Sequence, residues 1–154
     1  MSAKTQALRQ PLQHLDLLTP IVVDEDTPYG EVLATMRKNA RGSVIVCREG
    51  SATGVYTERD YLYKHCLERV DPKTPIGKLM STRPVTVTAK ATLGEAVELM
   101  HDKRVRNLPV VDEKGRPQAL LTVGGIIRFL AENFPREVVN LPPTTQVSGD
   151  ADGA

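Results

Sequence analysis

Thr57-Glu58-Arg59-Asp60 follows the run Gly54-Val55-Tyr56 and sets a hydroxyl and a carboxylate three residues apart. Two kinds of chemistry suit that spacing. At a helix start, Thr57 is the cap and Asp60 satisfies N–H groups that have no partner inside the helix. As a binding group, a carboxylate in the first helical turn can accept two hydrogen bonds from a vicinal diol, such as the 2′ and 3′ hydroxyls of a ribose. Hydrogen bonds to a charged acceptor contribute roughly 1.5–3 kcal/mol, about ten- to hundred-fold in affinity. The helix N-terminus keeps the carboxylate ionised and favours a nearby phosphate. The two roles are compatible, because Thr57 can cap while Asp60 binds.

The remaining reactive side chains form no catalytic pattern. His65-Cys66 is the one adjacent nucleophile–base pair, and adjacent helical residues point in different directions. It reads as a helix end. His14 and His101 are far apart with no ligand partners nearby, so no metal site is expected. Cys47 closes the apolar run Val44-Ile45-Val46-Cys47 and is expected to behave as a small apolar side chain. There is no Cys-x-x-Cys, no His-Glu-x-x-His, no Walker loop and no Gly-x-Gly-x-x-Gly. The chain is expected not to be an enzyme.

Composition narrows the partners. The formal net charge is +1, and four Tyr and two Phe are the only aromatics beside His, so neither a broad phosphate footprint nor a base-stacking platform is expected. No apolar run approaches the roughly 20 residues of a membrane span, and no signal-peptide core opens the chain. Neither nucleic acid nor membrane is therefore expected as a partner. Two cysteines cannot make a disulfide framework, which suits a reducing cytoplasm. At 154 residues the chain is long enough for a core of its own.

The elements that must position Thr57 and Asp60 come twice. Pro11 and Pro75, Leu15 and Leu79, Pro20 and Pro84, Val23 and Val87, Gly30 and Gly94, Met36 and Met100, and Val46 and Val110 are each 64 positions apart. One extra residue then enters, and Thr57 matches Thr122 at 65. Within each copy the pattern reads strand, helix, strand, strand, helix. Pro20-Ile21-Val22-Val23 and Pro84-Val85-Thr86-Val87 have strand composition. Tyr29, Val32, Leu33 and Met36, and then Leu93, Ala96, Val97 and Met100, fall at helical spacing. Thr27 before Pro28 predicts an N-cap, and Thr92 with Glu95 has capping-box spacing. Val44–Cys47 and Leu108-Pro109-Val110-Val111 read as buried strands. Arg48-Glu49-Gly50-Ser51 and Asp112-Glu113-Lys114-Gly115 read as hairpin turns, followed by third strands at 53–56 and 118–121. The expected organisation is an N-terminal extension (1–10), repeats at 11–69 and 75–134, a linker (70–74) and a tail (135–154). Residues before Pro11 show no pattern. The apolar, proline-rich stretch at 135–143 is expected to dock somewhere, and 144–154 to be disordered. The fold class is α+β: two tandem β-α-β-β-α units completing one core, with a ligand cleft between them.

Each copy resembles a cystathionine β-synthase (CBS) domain, and the pair resembles a CBS-domain pair, or Bateman module. The resemblance covers residues 11–134 and rests on Pro84-Val85-Thr86-Val87, Arg106-Asn107-Leu108-Pro109-Val110-Val111-Asp112 and Gly54-Val55-Tyr56-Thr57-Glu58-Arg59-Asp60. It implies a regulatory module with pseudo-two-fold symmetry that binds an adenosine-containing ligand, of the AMP, ADP or ATP class, in the inter-repeat cleft. It further implies a homodimer acting in trans on an effector protein whose identity is open. The alternative is a dimerising scaffold with vestigial sites. Carried over by motif position, the adenosine site takes Val55, Thr57 and Asp60 from the first copy. From the second it takes Arg83, Pro84 and Val85 on the first strand, then Val105, Arg106 and Asn107. Backbone groups at 83–85 would read the adenine edge, Val55 and Val105 would wall it, and Arg106 would meet phosphate or stay a solvated surface arginine. The second copy departs from the pattern. Gly125 stands where the ribose aspartate belongs and Ala119 replaces the glycine, so a site from Pro20, Ile21, Arg41, Gly42, Ser43, Thr122 and Gly125 is expected to be degenerate.

Overall fold

A computed structural model describes residues 1–135 of the chain. The expected tail from residue 136 onward lies outside the described residues. The chain opens with α1 (Ala3–Leu8), then β1 (Val22–Asp24), α2 (Tyr29–Lys38), β2 (Ser43–Arg48), β3 (Ser51–Thr57) and a short α3 (Glu58–Asp60). After a two-residue strand β4 (Ser81–Thr82) come β5 (Val87–Thr88), α4 (Leu93–Lys103), β6 (Asn107–Val111), β7 (Pro117–Thr122) and α5 (Val123–Asn133). The order of elements follows the periodicity, and the fold is α+β with two sheets. In each repeat the first strand runs parallel to the second, which is antiparallel to the third. β2 buries every residue but Arg48, which explains its unbroken apolar run.

The lead-in of each repeat packs on the other repeat. Leu12 N–H donates to Ala91 O, Gln13 N–H to Ala89 O and Leu93 N–H to Gln10 O. Shifted by 64 positions, Ile76 N–H donates to Thr27 O, Gly77 N–H to Glu25 O and Tyr29 N–H to Thr74 O. Leu12 thus sits in the core of the second repeat with Leu93, Met100, Leu108 and Leu121. Ile76 sits in that of the first, with Tyr29, Val32, Met36, Val44 and Tyr56. Leu18 exchanges two hydrogen bonds with Leu120 at the edge of β7, while β4 pairs antiparallel with β3. Ile45, Cys47 and Leu120 form a third buried cluster, with Leu18 and Ala52 packed against it. At the pseudo-two-fold axis the equivalent residues Ser43 and Asn107 meet, Ser43 Oγ donating to Asn107 Oδ1 at 3.3 Å.

Several local expectations need correction. Thr27 is not a cap: α2 begins at Tyr29 with Pro28 at the cap position and no side-chain cap bond. Its orphan N–H groups are met instead by Thr74 O and Pro72 O from the docked linker, so a side-chain cap is not needed. The strand expected from Pro84 begins only at Val87. Arg83 has φ +54° and Pro84 has no N–H to give a ladder, so residues 83–86 form a connector. The strand expected from Pro20 likewise begins at Val22. The patternless N-terminus contains a helix, α1, capped by the Ser2 side chain and lying against Gly94.

The extra residue of the second copy falls in the β6–β7 loop. Glu49 and Gly50, with φ of +50° and +82°, make a two-residue turn in the first repeat. The longer loop is braced by Asp112 Oδ1, which accepts from the N–H groups of Lys114 and Arg116.

Candidate functional site

β3 ends in extended backbone at Thr57 and turns at once into α3, a geometry that the capping box holds. Thr57 Oγ1 accepts from Asp60 N–H at 3.2 Å, while Asp60 Oδ2 accepts from Thr57 N–H and Thr57 Oγ1, both at 3.0 Å. The other oxygen, Oδ1, accepts from Lys64 Nζ at 3.0 Å and from Ser81 Oγ at 3.1 Å. Asp60 is buried. Burial pushes its carboxyl up, but the hydrogen bonds from Lys64 and from the Thr57 amide and hydroxyl outweigh that and hold it below the ordinary range. It is a fixed anion with four donors around it.

After Asp60 the helix widens into a π turn, Tyr61–His65, closed by Cys66 N–H donating to Tyr61 O at 2.7 Å. This turn buries His65 against Tyr56, with His65 Nδ1 and Tyr56 Oη 2.9 Å apart. Tyr56 Oη also donates to Tyr29 Oη at 3.2 Å. His65 therefore closes a core network beneath the site, and Cys66 is exposed.

Of the residues expected around adenosine, Thr57 and Asp60 meet directly. Val55 pairs with Ser81 in the β3–β4 ladder, two residues before Arg83. Arg83 is exposed and Pro84 half-buried in the connector. Val85 and Val105 pack on the second repeat's core. Arg106 is exposed, its carbonyl accepting from Val123 N–H. Asn107 is engaged with Ser43.

Of the degenerate set, Thr122 and Gly125 come together. Gly125 N–H donates to Thr122 Oγ1 at 2.9 Å, the same cap without the carboxylate. They line a pocket of about 50 Å³ with Leu15, Leu17, Leu18, Leu93, Leu121, Ile126 and Phe129. Leu17, 64 positions before Ser81, is the counterpart of the serine that meets Asp60. Hydroxyl and carboxylate have become leucine and glycine, and the pocket is mainly apolar, with Asp16, Arg128 and Glu132 also lining it. Pro20, Ile21, Arg41, Gly42 and Ser43 do not line it. The Arg41 guanidinium donates to Thr19 O and borders an outer groove of about 310 Å³ with Leu33, Met36, Arg37, Ala40, Glu58 and Tyr61. Gly42 O accepts from Glu58 N–H.

Two site residues escaped the sequence reading. Lys64 lies four positions after Asp60, an acid-to-lysine spacing that is legible on a helix. Ser81 carries no such signal, since only the β3–β4 pairing brings it to Asp60. Among the described residues, no group of three His, Cys, Asp or Glu side chains is placed to hold a metal ion.

Two β-α-β-β-α units exchanging their lead-ins, one ending its third strand in Thr-x-x-Asp, define a tandem-repeat α+β architecture. The model of the CBS domain matches residues 16–64 and 76–132, and the chain belongs to the CBS-domain family as a CBS pair. It is 30% identical over 123 residues to the mitochondrial CBS domain-containing protein CBSX3 of Arabidopsis thaliana, covering 76% of this chain and 59% of that protein. The chain spans 51–59% of the length of the curated relatives first matched. Among solved structures, a CBS domain-containing protein from Thermotoga maritima superposes with a TM-score of 0.67 at 27% identity, covering 80% of this chain and 96% of its own. The cytosolic domain of the Mg2+ channel MgtE, solved in complex with ATP, superposes at 0.63 with 30% identity, covering 83% of this chain and 53% of that one. The CBS pair of MJ0100, solved with 5′-methylthioadenosine and S-adenosyl-L-methionine, shares the fold at 0.70 and 19% identity. No helix among the described residues is long and apolar enough to cross a membrane.

Proposed function

We propose that the chain is a regulatory CBS pair that binds one adenosine-containing ligand between its repeats and passes the occupancy to an effector protein in trans. The observation that carries this reading is Asp60: a buried, ionised carboxylate at a strand end, beside the segment that enters the second repeat. The ligands of the MgtE and MJ0100 structures support the adenosine class. The binding set proposed is Val55, Thr57, Asp60, Arg83, Pro84, Val85, Val105, Arg106 and Asn107, with no second nucleotide at Gly125. Gly125 offers a ribose no carboxylate, and the pocket beside it, about 50 Å³, is far smaller than a nucleotide site. Homodimerisation fits the exposed apolar side chains Leu62, Tyr63, Val123 and Ile127 on the last helical segments of both repeats, with Leu67 exposed just after the first. The free thiols Cys47 and Cys66 suit a reducing compartment such as the cytoplasm.

A ligand at a hundred times its dissociation constant stabilises the fold by about 2.7 kcal/mol. AMP, ADP, ATP and S-adenosylmethionine are to be compared by thermal unfolding of wild type and Asp60→Asn. A shift in wild type that is lost in Asp60→Asn supports the reading; no shift with any ligand sinks it. The competing reading, a scaffold with vestigial sites, draws on the fact that all four acceptor positions of Asp60 are already filled from within the chain.

A further inference from the structure

We propose that Lys64 is a specificity-determining residue of this site: an internal counter-ion that holds Asp60 until a phosphorylated ligand replaces it. The inference rests on the adenosine reading above and deepens it. A carboxylate offers about four lone-pair positions. Those of Asp60 are taken by the Thr57 N–H, the Thr57 hydroxyl, Lys64 Nζ and Ser81 Oγ. A vicinal diol brings two donors, so two of the present partners must yield.

The Thr57 pair is local and builds the start of α3, so breaking it unravels the strand-to-helix turn. The partners on Oδ1 differ in how they are held. Ser81 belongs to β4 and is fixed by backbone pairing to Val55, although its hydroxyl can rotate. Lys64 reaches Oδ1 on a long flexible stem, with its side chain 52% exposed against 12% for Asp60. Its ammonium also lies 3.4 Å from Ser81 Oγ, so one swing of Lys64 vacates one position on Oδ1 and leaves the Ser81 hydroxyl, relieved of that contact, to rotate away from the other.

That swing has an electrostatic consequence. A neutral nucleoside would take the Asp60 acceptor positions and leave the ammonium without a counter-charge. A nucleotide brings its own anion, and the displaced ammonium moves from carboxylate to phosphate. Lys64 therefore penalises adenosine and favours phosphorylated adenosine. The same displacement couples occupancy to structure, because Ser81 lies on the segment that crosses between the repeats.

The test is calorimetric titration of the full chain with adenosine and with AMP, in wild type, Lys64→Met and Lys64→Arg. Methionine keeps much of the stem and removes the charge, and a half-exposed position tolerates it; a thermal melt of each variant confirms folding. In wild type AMP is expected to bind more tightly than adenosine. In Lys64→Met the AMP-to-adenosine affinity ratio is expected to fall about five-fold or more, with adenosine tightening, while Lys64→Arg keeps the ratio. Equal changes for both ligands in Lys64→Met, or no change, overturn the role of Lys64 and leave the adenosine reading intact. Failure of wild type to bind either ligand overturns the adenosine reading, and this inference with it.

Discussion

Gly54 is where the first repeat's site depends on the absence of a side chain. In Gly54→Ala, the new Cβ would stand 2.8 Å from Met80 Cγ and 2.9 Å from Ser81 O, and would also collide with Met80 Sδ. The methionine can swing away, since its thioether stem is flexible. The Ser81 carbonyl cannot, because it belongs to β4 and is held by the Gly54–Thr82 and Val55–Ser81 pairing. Overpacking of a filled interior costs roughly 1–3 kcal/mol, and a backbone clash belongs in the upper half of that range. For a chain of this size 1 kcal/mol moves the melting temperature by roughly 2–4 °C, so Gly54→Ala should melt about 4–12 °C below wild type. Pushing β4 outward also withdraws Ser81 from Asp60, so any nucleotide-induced shift should shrink in parallel. The control is Ala119→Gly at the matching position of the second repeat, where Ala119 pairs with Val110 as Gly54 pairs with Val46. Glycine in a strand interior costs only about 0.5–1 kcal/mol. Thermal unfolding of the two variants side by side decides the matter. If Gly54→Ala melts within about 1 °C of wild type, or loses less than Ala119→Gly, the close approach of β4 to β3 is not what constrains this site.

Tyr56→Phe should destabilise by about 1–3 kcal/mol, because it leaves buried His65 and Tyr29 without their shared hydroxyl; an unchanged urea midpoint would count against the network. Ala40→Gly should stabilise by about 0.5–1 kcal/mol, since Ala40 ends α2 with φ +49°, where glycine has no steric penalty; a lowered midpoint would argue otherwise. Asp60, Glu95 and Asp112 all have carboxyls held below their ordinary values. The unfolded chain then binds more protons than the native one, so this stability is complete above about pH 4.5 and is lost as pH falls through the lowered native values. Denaturant unfolding between about pH 2 and 6 should show that acid limb, flattened in Asp60→Asn; an identical limb in the variant would remove Asp60 from it.

How much of the site was legible follows from the range of each interaction. Thr92 with Glu95, and Thr57 with Asp60, are contacts across three residues, and both capping boxes form as their spacing predicts. The apolar runs of β2 and β6 state their own burial. Thr27 misled because the groups it was expected to cap are satisfied by a linker more than forty residues away. Ser81 was missed for the same reason, as its role exists only through β3–β4 pairing. The π turn that carries His65 inward leaves no periodic trace, since its one-residue widening answers to packing against Tyr56 and Tyr29.

The sequence by itself determined the repeat, the order of elements, the family, and the inequality of the two halves at Asp60 and Gly125. Each of these is written in residue types at short or fixed spacing. Only the tertiary structure decided which segment completes which core. Leu12 and Ile76 are buried in the other repeat's core, and the segments just before them supply carbonyls to the first turns of α4 and α2, Gln10 O to Leu93 N–H and Thr74 O and Pro72 O to Tyr29 and Gly30 N–H. That exchange puts Ser81 against Asp60, and with Lys64 it turns a four-residue motif into a carboxylate whose every acceptor position is taken.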